Sequence, residues 1–140
     1  MSRRRRRHQK QSKTSSFIRI ILALVYLSMA TIQFIFFFSD GSEVYKFYSV
    51  HTIFGAYRYL FDKLILPHPD PFTVLLIAFE ITVAVLILNK EQWAKIGLIS
   101  GAVFCVLISP IWAEIIPYCL LLALLHLLLL SRSYRKGALK

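Results

Sequence analysis

Residues 72–88, FTVLLIAFEITVAVLIL, contain only three side chains that are not apolar, Thr73, Glu80 and Thr82. A helix rises about 1.5 Å per residue, so this stretch reaches about 25 Å, close to the roughly 30 Å of a bilayer's hydrocarbon core. Three other stretches share its character: residues 17–38, 96–111 and 112–130. The last two are separated only by Ser109-Pro110 and Glu114. A single helix over both would be about twice too long for a bilayer, and Pro110 and Pro117 instead predict a tight reversal. The chain has 140 residues, 57% of them hydrophobic and 17% charged, with a mean hydropathy of +0.62. That composition excludes an ordinary soluble domain. The predicted fold is all-α: an integral membrane four-helix bundle over 17–131, with an interfacial amphipathic helix in the outer loop.

The net charge of +10 would point to nucleic acid in a soluble protein. Here its distribution is topological, and no specific nucleic-acid partner is implied. Arg3 to Arg7, Lys10, Lys13 and Arg19 precede or open the first span; Lys90 and Lys95 lie between the second and third; Arg132, Arg135, Lys136 and Lys140 follow the fourth. Only Lys46, Arg58 and Lys63 lie in the long loop. Basic residues stay on the cytoplasmic side, so both termini and the 89–95 turn are expected in the cytoplasm of a cell whose inner or plasma membrane holds the protein. The apolar part of the first span exceeds the h-region of a cleaved signal peptide, so it reads as a retained helix. Residues 1–16 read as a disordered basic tail that attracts anionic lipid, and residues 132–140 as a second basic tail.

The loop 39–71 is strongly aromatic. Tyr45, Phe47, Tyr48, Phe54, Tyr57, Tyr59 and Phe61 are interleaved with Lys46, Arg58, Asp62 and Lys63, and positions 44, 47, 48, 51, 54, 58, 61 and 65 form one mostly apolar helical stripe. Aromatic rings with polar ends suit the bilayer boundary, which predicts a helix along the outer interface with Tyr45, Tyr48, Phe54, Arg58, Phe61 and Asp62 as its contact residues. Arg58 and Asp62 have the i,i+4 spacing of an ion pair. The loop is either a membrane-anchored connector or the lid of a lipid-facing cavity. Pro67-His68-Pro69-Asp70-Pro71 is expected to block helix before the second span.

Glu80 is the most informative single residue. A carboxylate at mid-span costs about 2.5 kcal/mol or more on insertion scales, so it is expected to face the protein interior, beside Thr73, Ile77 and Ala84. It makes a structural hydrogen bond, accepts a proton, or receives a polar head group. His126, about 6 Å from it along the axis by helical rise, either pairs with it as a proton relay or bonds a neighbouring helix. Arg19 either snorkels to the head groups or turns inward, continuing a stripe with Ala23, Tyr26, Ala30 and Gln33 that would meet Glu80. In the third span Gly97, Gly101, Cys105 and Ser109 recur every four residues and predict a flat face for close helix packing. Cys105 and Cys119 form no Cys-x-x-Cys motif and read as small apolar residues. His51, His68 and Glu114 could gather with Asp40 or Asp70, but their spacing specifies no metal site.

The stretch 75–104, LLIAFEITVAVLILNKEQWAKIGLISGAVF, resembles the second and third helices of DoxX-like membrane proteins, which carry a Glu in the second helix, a short cytoplasmic turn and a third helix rich in small residues. Phe17-Ile18-Arg19-Ile20-Ile21 is similar to the Arg-containing start of their first helix. The resemblance implies a four-helix bundle with Arg19 and Glu80 as its polar core, in a family that includes a thiosulfate:quinone oxidoreductase subunit and partners of membrane thiol or oxidant-defence systems.

Three functional expectations follow. The first is an accessory subunit, without catalytic activity of its own, that binds a partner protein or lipid. The second is a subunit of a quinone-linked oxidoreductase, with Glu80 and His126 handling protons; quinone is the one cofactor considered, since no redox ligands are evident in the chain. The third is a small carrier for a hydrophobic or weakly acidic solute, acting as an oligomer. The topology is directly testable. With Cys105 and Cys119 replaced, an impermeant thiol reagent applied from outside should label Ser42→Cys and spare Ser133→Cys; labelling of both would overturn the orientation.

Overall fold

The computed structural model describes the backbone of residues 2–39 and 41–137, and the side chains of 16–39, 42–90 and 92–131. Asp40 and the side chains of the terminal basic runs lie outside the described residues. Six α-helices follow one another: α1 (Ser2–Ser39), α2 (Gly41–His51), α3 (Gly55–Leu60), α4 (Pro69–Leu88), α5 (Glu91–Ile108) and α6 (Ile116–Gly137). A π-helical turn, Phe61–Ile65, follows α3, and two 3-10 turns, Ser109–Ile111 and Ala113–Ile115, join α5 to α6. No strand occurs among the described residues. Four segments are long and apolar enough to cross a membrane: Ser16–Ser39, Pro69–Leu88, Gln92–Ile111 and Ala113–Ser131.

These segments coincide with the four stretches expected from hydropathy, while the helix ends differ for local reasons. No Pro or Gly stands between Ser2 and Ser39, so α1 starts long before Phe17 and its backbone runs helically through the basic tail that was expected to be disordered. The proline run before α4 does not block it until Phe72. Pro69 opens the helix after His68. The first turn of a helix leaves its N–H groups unpaired, so the prolines there forfeit no hydrogen bond. The expected reversal between α5 and α6 is present. Its extended residue is Trp112, at φ −152° and ψ 129°, between the two 3-10 turns.

The helices alternate in direction. The guanidinium of Arg19 donates from Nε to the Ile87 carbonyl at 2.7 Å and from Nη2 to the Asn89 carbonyl, which fixes the start of the apolar part of α1 beside the end of α4. Cations are favoured at a helix C-terminus, where carbonyls lack intrahelical partners. Helix α1 packs on α4, α4 on α5 and α5 on α6. The main core joins Leu22 and Tyr26 of α1, Val83 and Ile87 of α4, Leu98 of α5 and Leu129 of α6. A smaller cluster, Cys105, Cys119 and Ala123, holds α5 to α6 nearer the reversal.

The outward faces of these helices are apolar as well, with Leu24, Ile32, Val85, Val103, Leu120 and Leu127 all exposed. Exposed hydroxyls on the same surfaces bond back into their own helix: Ser28 to the Leu24 carbonyl, Thr31 to Leu27 and Thr82 to Ala78, at 2.7–2.8 Å.

The small residues of α5 perform two separate tasks rather than forming one flat face. A Cβ on Gly97 would stand 2.8 Å from the Leu86 Cβ and 2.9 Å from the Ile87 backbone nitrogen, so this glycine lets α5 approach the backbone of α4. Gly101 makes room for side chains of α1 and α6 instead. Overpacking of this kind costs about 1–3 kcal/mol. Gly97→Ala is therefore expected to lower stability by that amount in a detergent unfolding titration. Gly55→Ala, whose Cβ meets nothing within 4 Å, should change it by less than about 1 kcal/mol.

Candidate functional site

Between the reversal at Trp112 and the mid-plane of the long helices lies a partly open cavity of about 700 Å³. Its wall draws on every long helix: Tyr26 and Gln33 from α1, Phe79 and Glu80 from α4, Phe104 and Cys105 from α5, and Cys119 and Leu122 from α6. Pockets that enclose small organic ligands span about 300–1,000 Å³ and are mostly apolar with few polar groups. This one has that character.

Glu80 is the one charged residue in the cavity wall, and its side chain is fully buried. Neither Oε1 nor Oε2 has a hydrogen-bond partner among the described residues. The expectation of an inward-facing carboxyl is met, but none of the expected partners reaches it. Arg19 is occupied with the carbonyls at the end of α4. His126 does not pair with Glu80 either. Its Nδ1 bonds the Leu122 carbonyl of its own helix at 2.6 Å, which makes Nδ1 the protonated nitrogen and Nε2 an acceptor. Tyr26 accordingly donates its hydroxyl to Nε2 at 3.2 Å, with the two rings edge to face.

The inward stripe expected on α1 is present: Ala23, Tyr26 and Ala30 are buried, and Gln33 borders the cavity. Tyr26 is thus the side chain that reaches from the cavity wall to His126. A Cβ on Gly101 would stand 2.5 Å from Nε2 and 2.6 Å from the Tyr26 hydroxyl, so the absence of a side chain at that position admits the pair. Cys105 Sγ lies 3.9 Å from the same hydroxyl. Both cysteines are free and buried, consistent with small apolar roles.

The aromatic loop roofs the cavity. Tyr45, Tyr48, Phe61 and Ile65 form that part of the wall. The Thr73 hydroxyl donates to the Pro69 carbonyl at 2.9 Å, which leaves its oxygen to accept from Tyr45 at 2.8 Å and ties α2 to α4. On the other side Thr52 Oγ1 and the Ile53 N–H both donate to the Pro110 carbonyl, and the Tyr57 hydroxyl donates to the Leu107 carbonyl at 2.7 Å. Phe47 packs edge to face on Trp112. Burial raises the Tyr45 phenol above its ordinary pKa, opposed by the bond to Thr73. Burial raises Tyr48 also, and Tyr45 and the Glu80 carboxylate add to the shift, which places these two phenols in the field of Glu80.

Two expectations about the loop need correction. The continuous stripe is broken, because Phe54 is extended and separates α2 from α3; Tyr45, Ser49, Thr52 and Phe61 are the buried positions, whereas Phe54 is 55% exposed. The Arg58–Asp62 ion pair is not formed. Arg58 donates to the Ser49 and Val50 carbonyls near the end of α2, and Asp62 accepts from the Ser49 hydroxyl. The π-helical turn beginning at Phe61 shifts the register on which i,i+4 pairing depends. His51 stacks on Phe47, and among the described residues no three His, Cys, Asp or Glu side chains gather.

Comparison with protein-family models, with curated proteins and with solved structures returned no match.

An unpartnered buried carboxyl group weakens a fold, because it has lost water and gained no donor. Glu80→Gln is therefore expected to hold or raise the thermal midpoint in detergent. Tyr26→Phe, which strands the His126 Nε2 acceptor, should cost about 1–3 kcal/mol. A large loss of stability in Glu80→Gln would assign Glu80 to the framework.

Proposed function

We propose that this is an integral membrane protein whose four-helix bundle binds a lipophilic ligand in the cavity at Glu80, serving as an accessory, non-catalytic component of a membrane system. The observation that carries the proposal is the combination in one place of an apolar cavity of about 700 Å³ and a fully buried carboxyl group with no partner among the described residues. A residue retained at such a cost without a structural bond is best explained by a ligand that supplies the missing contact.

Membrane insertion is supported by the apolar outward faces and by the exposed Ser and Thr hydroxyls that bond their own helices, as a medium without water requires. The charge distribution supports cytoplasmic termini, with α2 and α3 along the opposite interface. The DoxX-like relationship belongs to the same proposal, resting on the stretch 75–104.

A second reading has its own observation. Tyr26 connects the cavity wall to a neutral His126. In a quinone-linked subunit, Glu80 on one side and the Tyr26–His126 pair on the other would exchange protons with a bound quinone, the electrons passing to a partner.

Mass spectrometry of the protein gently extracted from its native membrane separates these readings. A retained lipophile other than quinone, weakened in Val25→Trp, which narrows the cavity, is the expected result. Retained quinone would transfer the protein to the second reading. Retention unchanged in the double variant Val25→Trp/Glu80→Leu, which narrows the cavity and removes its carboxyl group, would overturn the cavity site.

A further inference from the structure

The ligand's head group can be inferred from what the cavity wall lacks and what it contains. No Lys or Arg is among the wall residues, so nothing in the wall offsets a charge on Glu80. Of the wall's four tyrosines, Tyr26 donates to His126 and Tyr45 to Thr73; Tyr48, Tyr118 and the Gln33 amide also border the space, yet none of these groups bonds either oxygen of Glu80. Both carboxyl oxygens are buried and unpartnered. The rest of the wall mixes aliphatic side chains with aromatic ones. Tyr26, Tyr45, Tyr48, Phe61, Phe79 and Phe104 all border the same space, with Phe79 and Phe104 in ring contact at 4.8 Å and Tyr45 and Tyr48 both within about 6.5 Å of Phe61. Aromatic faces attract cations, and do so more strongly where water is excluded.

We propose that the cavity selects an amphiphile with a protonated amine head, seated on the Glu80 carboxylate among these aromatic faces, with its hydrocarbon part filling the apolar remainder. The inference rests on the lipophile-binding reading above and specifies its head group. An ammonium group carries several N–H donors, enough for both Glu80 oxygens, and neutralises a charge that is otherwise isolated in apolar surroundings. A hydroxyl head provides one donor and no charge, and a carboxylate head is repelled. Alkylamines resemble the lysine side chain, with an ordinary pKa of about 10.4, and are cations at neutral pH.

The experiment uses three probes of equal chain length, dodecylamine, dodecanol and dodecanoate, against the full chain in neutral nanodiscs. Bound probe is counted by native mass spectrometry and affinity is measured by equilibrium dialysis. Dodecylamine is expected to bind about tenfold or more tightly than dodecanol, one per chain, with dodecanoate weakest. Glu80→Gln should abolish the preference for amine while still binding dodecanol, which also shows that the variant is folded, and Glu80→Asp should retain part of the preference. Equal binding of dodecylamine and dodecanol, unchanged in Glu80→Gln, would overturn the amine assignment and leave the cavity intact. Binding of none of the three, with native secondary structure by circular dichroism, would overturn both this inference and the lipophile reading beneath it.

Discussion

The close approach at Gly97 and Gly101 determines how the other helices can sit. At Gly97 the α5 backbone meets that of α4 with no space for a single added carbon, and one turn later Gly101 lies under the Tyr26–His126 hydrogen bond. Helix α5 is therefore the element around which α1, α4 and α6 are placed. In hydrocarbon there is no hydrophobic force between apolar helices, so shape and interhelical hydrogen bonds decide association. Two glycines four residues apart provide the first, and the bond they admit between α1 and α6 provides the second.

The same geometry accounts for the cavity. Where α5 carries glycine the helices close up, and the buried side chains there are packed into one core. Another turn along, Cys105 replaces glycine; it still packs on Cys119 and Ala123 of α6, and the two cysteines border the cavity. On the loop side the space is lined by α2 and the π-helical turn, and the loop is tied down through Tyr45 on one side and through Thr52, Ile53 and Tyr57 on the other. Few of these tethers involve a charged group. The loop side of the cavity consists mainly of aromatic rings, with the loop held by neutral hydrogen bonds.

Polar groups in this protein fall into two kinds. Arg19, Arg58, Thr73, Tyr26 and His126 each have a defined partner, and each joins two elements or completes a helix end. Glu80 alone is fully buried with neither oxygen satisfied among the described side chains. Its neighbours show that the fold is capable of satisfying buried polar groups, and the exception therefore points to function. No Lys or Arg is found among the described wall residues, and the proposed amine head group would supply that missing charge.

Much of this was legible in the sequence. The number and approximate limits of the long helices follow from hydropathy because a bilayer imposes a length, and the burial of Glu80 follows because a lone charge at mid-span has nowhere else to go. The stripe Ala23, Tyr26 and Ala30 was readable from helical period, as was the reversal near Pro110. Tertiary structure decided the partners. Helical spacing gives the depth of Arg19, Glu80 and His126 but not the rotation of one helix against another, and it is this rotation that sends Arg19 to the carbonyls of α4, gives His126 to Tyr26 and leaves Glu80 facing a cavity. The loop shows the same division: its aromatic content was visible, yet a bend at Phe54 and one π-helical turn changed the register, so that Tyr45, Tyr48 and Phe61 became the roof of a site instead of one face of a single interfacial helix.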